Sequence, residues 1–267
     1  MNLSRISAIV MRQIYLYRGS PQRILPMFAW VGVDILLWGF MTRYLNDVSH
    51  SGFNFVPALL GAVLMWDFLT RLMQGVTTAF FEDVWSRNFL NFFATPLRIS
   101  EYLAGLVVTG IGTSLVGLAV MLALAGAVFG LSFAAYGPAL AAFLMVLFLT
   151  GIAFGIAAAA IVLRLGPASE WLVWPIPAIV SPFVGVFYPV SVLPAWIQPI
   201  TRILPPSYVF EGVRAVIAGK PIAWAGLAIG GGLSIVYVAL ACAMFAAVYR
   251  GAIRTGLIAR YSAETVS

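Results

Sequence analysis

Asp67 and Arg71 stand one helical turn apart inside FVPALLGAVLMWDFLTRLMQGVTTAFF, residues 55–81, a stretch otherwise apolar enough to cross a bilayer. Asp34 stands in an equally apolar stretch nearby in the chain. Charge at bilayer depth is expensive, so such groups face protein or water and usually pair. At i and i+4, Asp67 and Arg71 share one helical face. Asp34 is expected at similar depth, about ten residues from either end of its span at about 1.5 Å per residue. A network of Asp34, Arg71 and Asp67 has two uses. It can glue two spans or two protomers together, or it can contact something that passes through a protected polar cleft. An intramembrane acid–base enzyme using Asp34 and Asp67 is a third.

The elements that must position these groups follow from composition. The 267 residues are 62% hydrophobic and only 9% charged, with a mean hydropathy of +1.01. Soluble domains carry about 25% charged residues, so the chain reads as an all-α integral membrane protein. One transmembrane domain, 1–267, is expected, with six spans at roughly 24–45, 55–80, 103–129, 138–163, 171–190 and 224–249. Residues 1–23 carry Arg5, Arg12, Arg18 and Arg23 and lack an apolar core of secretory length. Leu3, Ile6, Val10, Ile14 and Tyr17 share a helical face there, with Arg5 and Arg12 on another. This predicts an amphipathic helix in the cytoplasmic headgroup plane.

The fifth span is irregular, because Trp171–Val190 holds Pro175, Pro177, Pro182 and Pro189. Proline breaks the helical hydrogen-bond ladder, and broken backbone at membrane depth must be covered by protein or line a cavity. Residues 191–221 are too polar and proline-rich for a span and predict short re-entrant helices at the outer surface. Six spans put both termini on one side. Arginines 5, 12, 18, 23, 87, 98, 164, 250, 254 and 260 then lie inside, against Arg43, Arg202, Arg214 and Lys220 outside. That bias satisfies the positive-inside rule and makes both termini cytoplasmic. The aromatic residues Trp171, Trp174, Tyr188, Trp196 and Trp224 cluster near span ends, as in an interfacial belt; an aromatic lining for sugars or lipid tails is the alternative.

Several chemistries are excluded. A phosphate-binding loop needs G-x-x-x-x-G-K-[ST], but the one lysine, Lys220, lies in AGKP. Neither G-x-S-x-G nor H-E-x-x-H occurs. The lone cysteine, Cys242, allows no disulfide within the chain, and the lone histidine, His50, in a short polar loop, makes a metal site unlikely on spacing grounds. The scattered arginines fit lipid headgroups rather than nucleic acid. No catalytic residue, metal site or resident cofactor is expected.

Two stretches resemble a known family. In FFEDVWSRNFLNFFATPLRISEYLAGLV, residues 80–107, an acidic residue (Glu82) precedes a basic one (Arg87), followed by Thr95-Pro96-Leu97 and a helix carrying Gly105. In SPFVGVFYPVSVLPAWIQPITRILPPSYVFEGVRAVIAG, residues 181–219, a proline-rich turn precedes Leu204-Pro205-Pro206-Ser207-Tyr208 and Glu211-Gly212-Val213-Arg214. In order, and on opposite sides of the membrane, they resemble the permease subunits of type-two ABC exporters.

The resemblance implies a homodimer, each chain seated on one of two copies of a cytoplasmic ATPase subunit that binds ATP and magnesium. Residues 82–101 would form the coupling segment, its helix (82–97) pressed into the ATPase, with Glu82, Asp83, Arg87, Thr95 and Pro96 at the contact. Spans one, two and five would line the path, placing Asp34, Asp67 and Arg71 on it. Tyr208, Glu211 and Arg214 would belong to an outer gate. The implied function is ATP-driven export of an amphiphile (a lipid-linked glycan, a lipid or a drug) across a bacterial inner membrane. An ATP-independent channel or transporter, and a lipid-modifying enzyme, are the alternatives.

Overall fold

The computed structural model describes residues 1–49, 55–86, 92 and 95–256, leaving aside the side chains of 21–28, 135 and 167. Nine α-helices are described among these residues, and no strand. They are α1 (Leu3–Gly19), α2 (Pro21–Ser49), α3 (Gly61–Trp85), α4 (Ile99–Phe129), α5 (Ala139–Leu165), α6 (Ile176–Val184), α7 (Gln198–Thr201), α8 (Pro205–Ile217) and α9 (Trp224–Arg254). A π-helical turn, Val56–Leu60, runs directly into α3. His50 and Arg87 lie outside the described residues.

Among the described residues, four helices are both long and apolar enough to cross a membrane: Val56–Trp85, Ile99–Phe129, Ala139–Leu165 and Trp224–Arg254. They fall on the expected second, third, fourth and sixth spans. At 29 residues, α2 is longer than the expected 24–45 and rises about 44 Å. The expected fifth span is a broken segment instead. A 3-10 stretch, Pro167–Leu172, leads to α6, which has nine residues. That helix rises about 14 Å, roughly half of a ~30 Å hydrocarbon core. Pro175 and Pro177 flank its first residue, Pro182 lies inside it, and Gly185 ends it in the left-handed region at φ +71°.

The hub is α3, packed on α4 along one side and α5 along another, with α9 behind α5. Close approach is built into the sequence. A Cβ on Gly75 of α3 would lie 2.8 Å from the Gly110 Cα of α4, and one on Gly151 of α5 would lie 2.8 Å from the Leu69 carbonyl oxygen. Small residues at such crossings let membrane helices gain contact where no hydrophobic drive separates them from lipid. The buried set around this hub includes Leu69, Leu72, Met73, Val76 and Phe80 of α3, Leu106 of α4 and Ile156 of α5.

The α1 helix starts at the cap residue Asn2, whose side chain accepts the Ser4 N–H at 3.0 Å. Its orientation differs from a simple amphipathic float. Ile9 and Gln13 are the buried residues, and Ile9 sits on Gly105, where a Cβ would come within 2.6 Å of it. The arginine side turns toward the protein because Asp83 and Glu101, both buried, lie beneath it. Leu3 and Ile14 of the expected apolar face are exposed. Trp171, Trp174, Trp196 and Trp224 also expose their rings, as span-end aromatics facing headgroups do.

Candidate functional site

The site is built on one face of α3. Its polar residues Asp67, Thr70, Arg71, Gln74, Thr78 and Glu82 recur at steps of one, three or four, so they form a single stripe. Phe68, Leu69, Leu72, Met73, Val76 and Phe80 bury the rest of the helix. The stripe lines a cavity of about 560 Å³. Across from it stand Trp30 and Asp34 of α2, Ser114 of α4, Tyr17 near the end of α1, and Trp174. From Asp67 to Glu82 the helix rises about 22 Å, so the cavity follows α3 from its second turn to its C-terminal end.

Asp34, Asp67 and Arg71 therefore share one cleft. The Asp67 Oδ2 and Ser114 Oγ atoms are buried with no hydrogen-bond partner among the described residues. A second cavity of about 260 Å³ adjoins the first between α1 and α4. Its walls include Val10, Ile14, Val108 and Val116, and Tyr17 and Arg71 line both cavities. The arrangement offers a polar chamber and an apolar one side by side.

At the foot of the cleft, α1 is fastened to both stems of the 82–101 segment. Arg12 pairs with Asp83 at the end of α3, and the Tyr102 hydroxyl donates to the other Asp83 oxygen at 2.7 Å. Asp83 is fully buried. On the other stem, the Arg5 guanidinium lies 3.2 Å from Glu101. Glu101 also accepts the Asn2 N–H at 2.7 Å and the Arg98 N–H at 3.1 Å. The Gln13 side-chain amide donates to the Ala79 carbonyl at 3.3 Å. Between the stems, Thr95 and Pro96 occupy an exposed turn. Glu82 faces the cavity. Arg87 falls outside the described residues.

Residues 4–218 match the family described as ABC-2 type transporter. The chain belongs to the ABC-2 type transporter family. The match runs from α1 through α8 and so includes the cleft, both stems and the turn after α6. A similar protein, Nodulation protein J of Rhizobium meliloti (strain 1021), is 33% identical over 75 residues, which is 27% of this chain and 29% of that protein. The matched stretch spans less than a third of that relative's length. With the family assigned and four membrane-length apolar helices described, this ABC-2 type transporter chain is an integral membrane protein and the membrane component of a transporter.

At the other end of the molecule, the three residues that the sequence of this ABC-2 type transporter assigned to an outer gate, Tyr208, Glu211 and Arg214, lie near one another. Arg214 of α8 donates to the Gly185 carbonyl at 2.6 Å and to Glu211 at 2.9 Å. Glu211 accepts the Val190 N–H at 2.9 Å. Together they hold the non-helical turn after α6. Tyr208 donates to the Arg202 carbonyl at 2.8 Å. Tyr208 and Glu211 line a further cavity of about 430 Å³.

Sequence reasoning missed Thr70, Gln74, Thr78 and Ser114, and it missed the Arg5–Glu101 and Arg12–Asp83 pairs. The first group was signalled by polar residues at helical spacing through an apolar helix. The second was signalled by two arginines seven residues apart on α1 and two carboxylates near the ends of the 82–101 segment. Asp83, assigned from the resemblance to the ATPase contact, is turned inward to α1. Among the described residues no cluster of three potential metal ligands occurs.

Proposed function

We propose that this chain is the membrane-spanning subunit of an ATP-driven exporter of an amphiphile, powered by a separate ATPase subunit. The observation that carries the reading is the pair of adjoining cavities, one polar and one apolar, sharing Tyr17 and Arg71. A molecule with a polar head and an apolar tail matches that pairing. The polar cavity reaches the stems of the coupling segment, where motion of an attached ATPase is felt first.

In this mechanism the 82–101 segment seats in the ATPase, with Arg87, Thr95 and Pro96 at the contact. ATP and magnesium are held by that partner. Because Asp83 of α3 and Glu101 of α4 bind α1, a push on either stem moves α1 with α3 or with α4. That motion reshapes the cleft between α2, α3 and α4, where Asp34, Asp67 and Arg71 meet the cargo. The outer turn held by Glu211 and Arg214, with Tyr208 beside it, gates release. Two copies pair through α2, whose Val33, Leu37, Phe40 and Tyr44 are exposed, and two ATPase copies sit beneath them. Six membrane crossings with both termini in the cytoplasm of a bacterial inner membrane complete the reading, supported by the distribution of arginines.

Co-purification tests it. The chain, expressed with the ABC ATPase subunits of its source organism, retains one of them through detergent extraction, and Arg87→Glu or Pro96→Glu abolishes retention. Failure of the wild-type chain to hold an ATPase under any solubilising condition rejects the reading.

A further inference from the structure

The polar cavity has a charge imbalance that narrows what can enter it. Resting on the reading of the two cavities as a cargo path, we infer that the cleft between α2, α3 and α4 takes a cationic, amine-bearing head group, with the tail directed into the adjoining apolar cavity.

At the depth of Asp67 the cavity presents two carboxylates, Asp34 and Asp67, against one guanidinium, Arg71. One negative charge is left over, and charge at that depth is costly until it is balanced. Two buried oxygens of this wall are able to accept a hydrogen bond. Asp67 Oδ2 is buried with nothing donating to it among the described residues. Ser114, from the α4 wall, is 1% exposed, and its Oγ is buried without a hydrogen-bond partner among the described residues. A donor with positive charge would meet both of these oxygens. An ammonium group supplies three donors and no acceptor. Trp30 stands one helical turn before Asp34 on α2, and both face the cavity. An indole face beside a carboxylate is a favourable seat for a cation.

Other head groups fit less well. A phosphate or sulfate brings further negative charge beside Asp34 and Asp67. A neutral sugar can donate hydroxyls to Asp67, but it leaves the charge unbalanced. The apolar cavity begins where Tyr17 and Arg71 end the polar one, so head and tail are received by neighbouring walls.

The test uses the full-length chain in nanodiscs of zwitterionic lipid and three probes with one tail: dodecylammonium, dodecyl glucoside and dodecyl sulfate. Saturable binding is measured against protein-free discs. Dodecylammonium is expected to bind at least about tenfold more tightly than either other probe, the scale of one charged hydrogen bond. Asp67→Asn and Asp34→Asn should each weaken it by about tenfold. Ser114→Ala should weaken it by a few-fold, and Asp47→Asn, an exposed carboxylate on the same helix as Asp34, should leave it unchanged. Because Asp67→Asn risks misfolding, the half-buried Asp34 and the small Ser114 change carry the test without it. Equal or tighter binding of the glucoside or sulfate, still displaced by changes at Asp34 or Ser114, overturns the cationic head group and leaves the cargo path standing. Saturable binding of none of the three overturns both.

Discussion

Cutting the link between Arg12 and Asp83 should destabilise this protein far more than cutting the link between Arg5 and Glu101. Asp83 is fully buried and has two donors, the Arg12 guanidinium and the Tyr102 hydroxyl. Arg12→Ala leaves a buried carboxylate with tyrosine alone. Stranding one member of a buried pair costs about 3–5 kcal/mol. The Arg12 side chain is 24% exposed, so water reaches one side of the pair and the lower end, about 3 kcal/mol, applies. Glu101 keeps two backbone N–H donors, from Asn2 and Arg98, when Arg5 is removed. Arg5 is also 35% exposed, so Arg5→Ala should cost about 1 kcal/mol or less. In thermal denaturation of the purified chain in one detergent, Arg12→Ala should lower the midpoint by about 6–12 °C and Arg5→Ala by about 2–4 °C at most. The double change Arg12→Ala with Asp83→Leu should recover part of the loss, because no charge is then stranded. Equal midpoints for the two arginine variants, or a double variant worse than the sum of its parts, would refute the reasoning.

Further outcomes follow from single contacts. Gly75→Val should cost about 1–3 kcal/mol and reduce folded yield, because its Cβ meets the Gly110 backbone at 2.8 Å; Gly112→Ala, with open space around it, should be silent in the same measurement. Tyr136→Phe should cost about 1 kcal/mol in denaturation, since the hydroxyl donates at 2.6 Å to the Pro57 carbonyl inside the π-helical turn. Arg214→Ala frees the turn after α6, and hydrogen exchange at the Val190 amide should quicken by about tenfold or more.

The chain announced its class through composition and its spans through apolar length, because a membrane helix must satisfy its backbone internally and be apolar across the core. Four spans fall within a few residues of their expected places. The fifth was legible only as a disturbance: four prolines said that the helix breaks, while the position of the break depends on Gly185 and on Arg214 and Glu211 from a helix about thirty residues away. In the site, Asp34, Asp67 and Arg71 were visible because charges stand out in apolar sequence. Thr70, Gln74, Thr78 and Ser114 were not, because single hydroxyls and amides are common in packed helices and gain meaning only when one wall collects them. The α1 arginines show the limit most clearly. Their helical face was readable, but whether it meets headgroups or protein depends on Asp83 and Glu101, which lie some 71 and 96 residues away in sequence.

The central claim is that this chain is a conduit driven by a separate ATPase. It is tested most directly in proteoliposomes holding the chain with and without the ATPase that co-purifies with it, loaded with a labelled long-chain amphiphile. The account predicts directional movement only when chain, ATPase and ATP are all present, and loss of movement with Arg87→Glu. Movement at the same rate by the chain alone would contradict it.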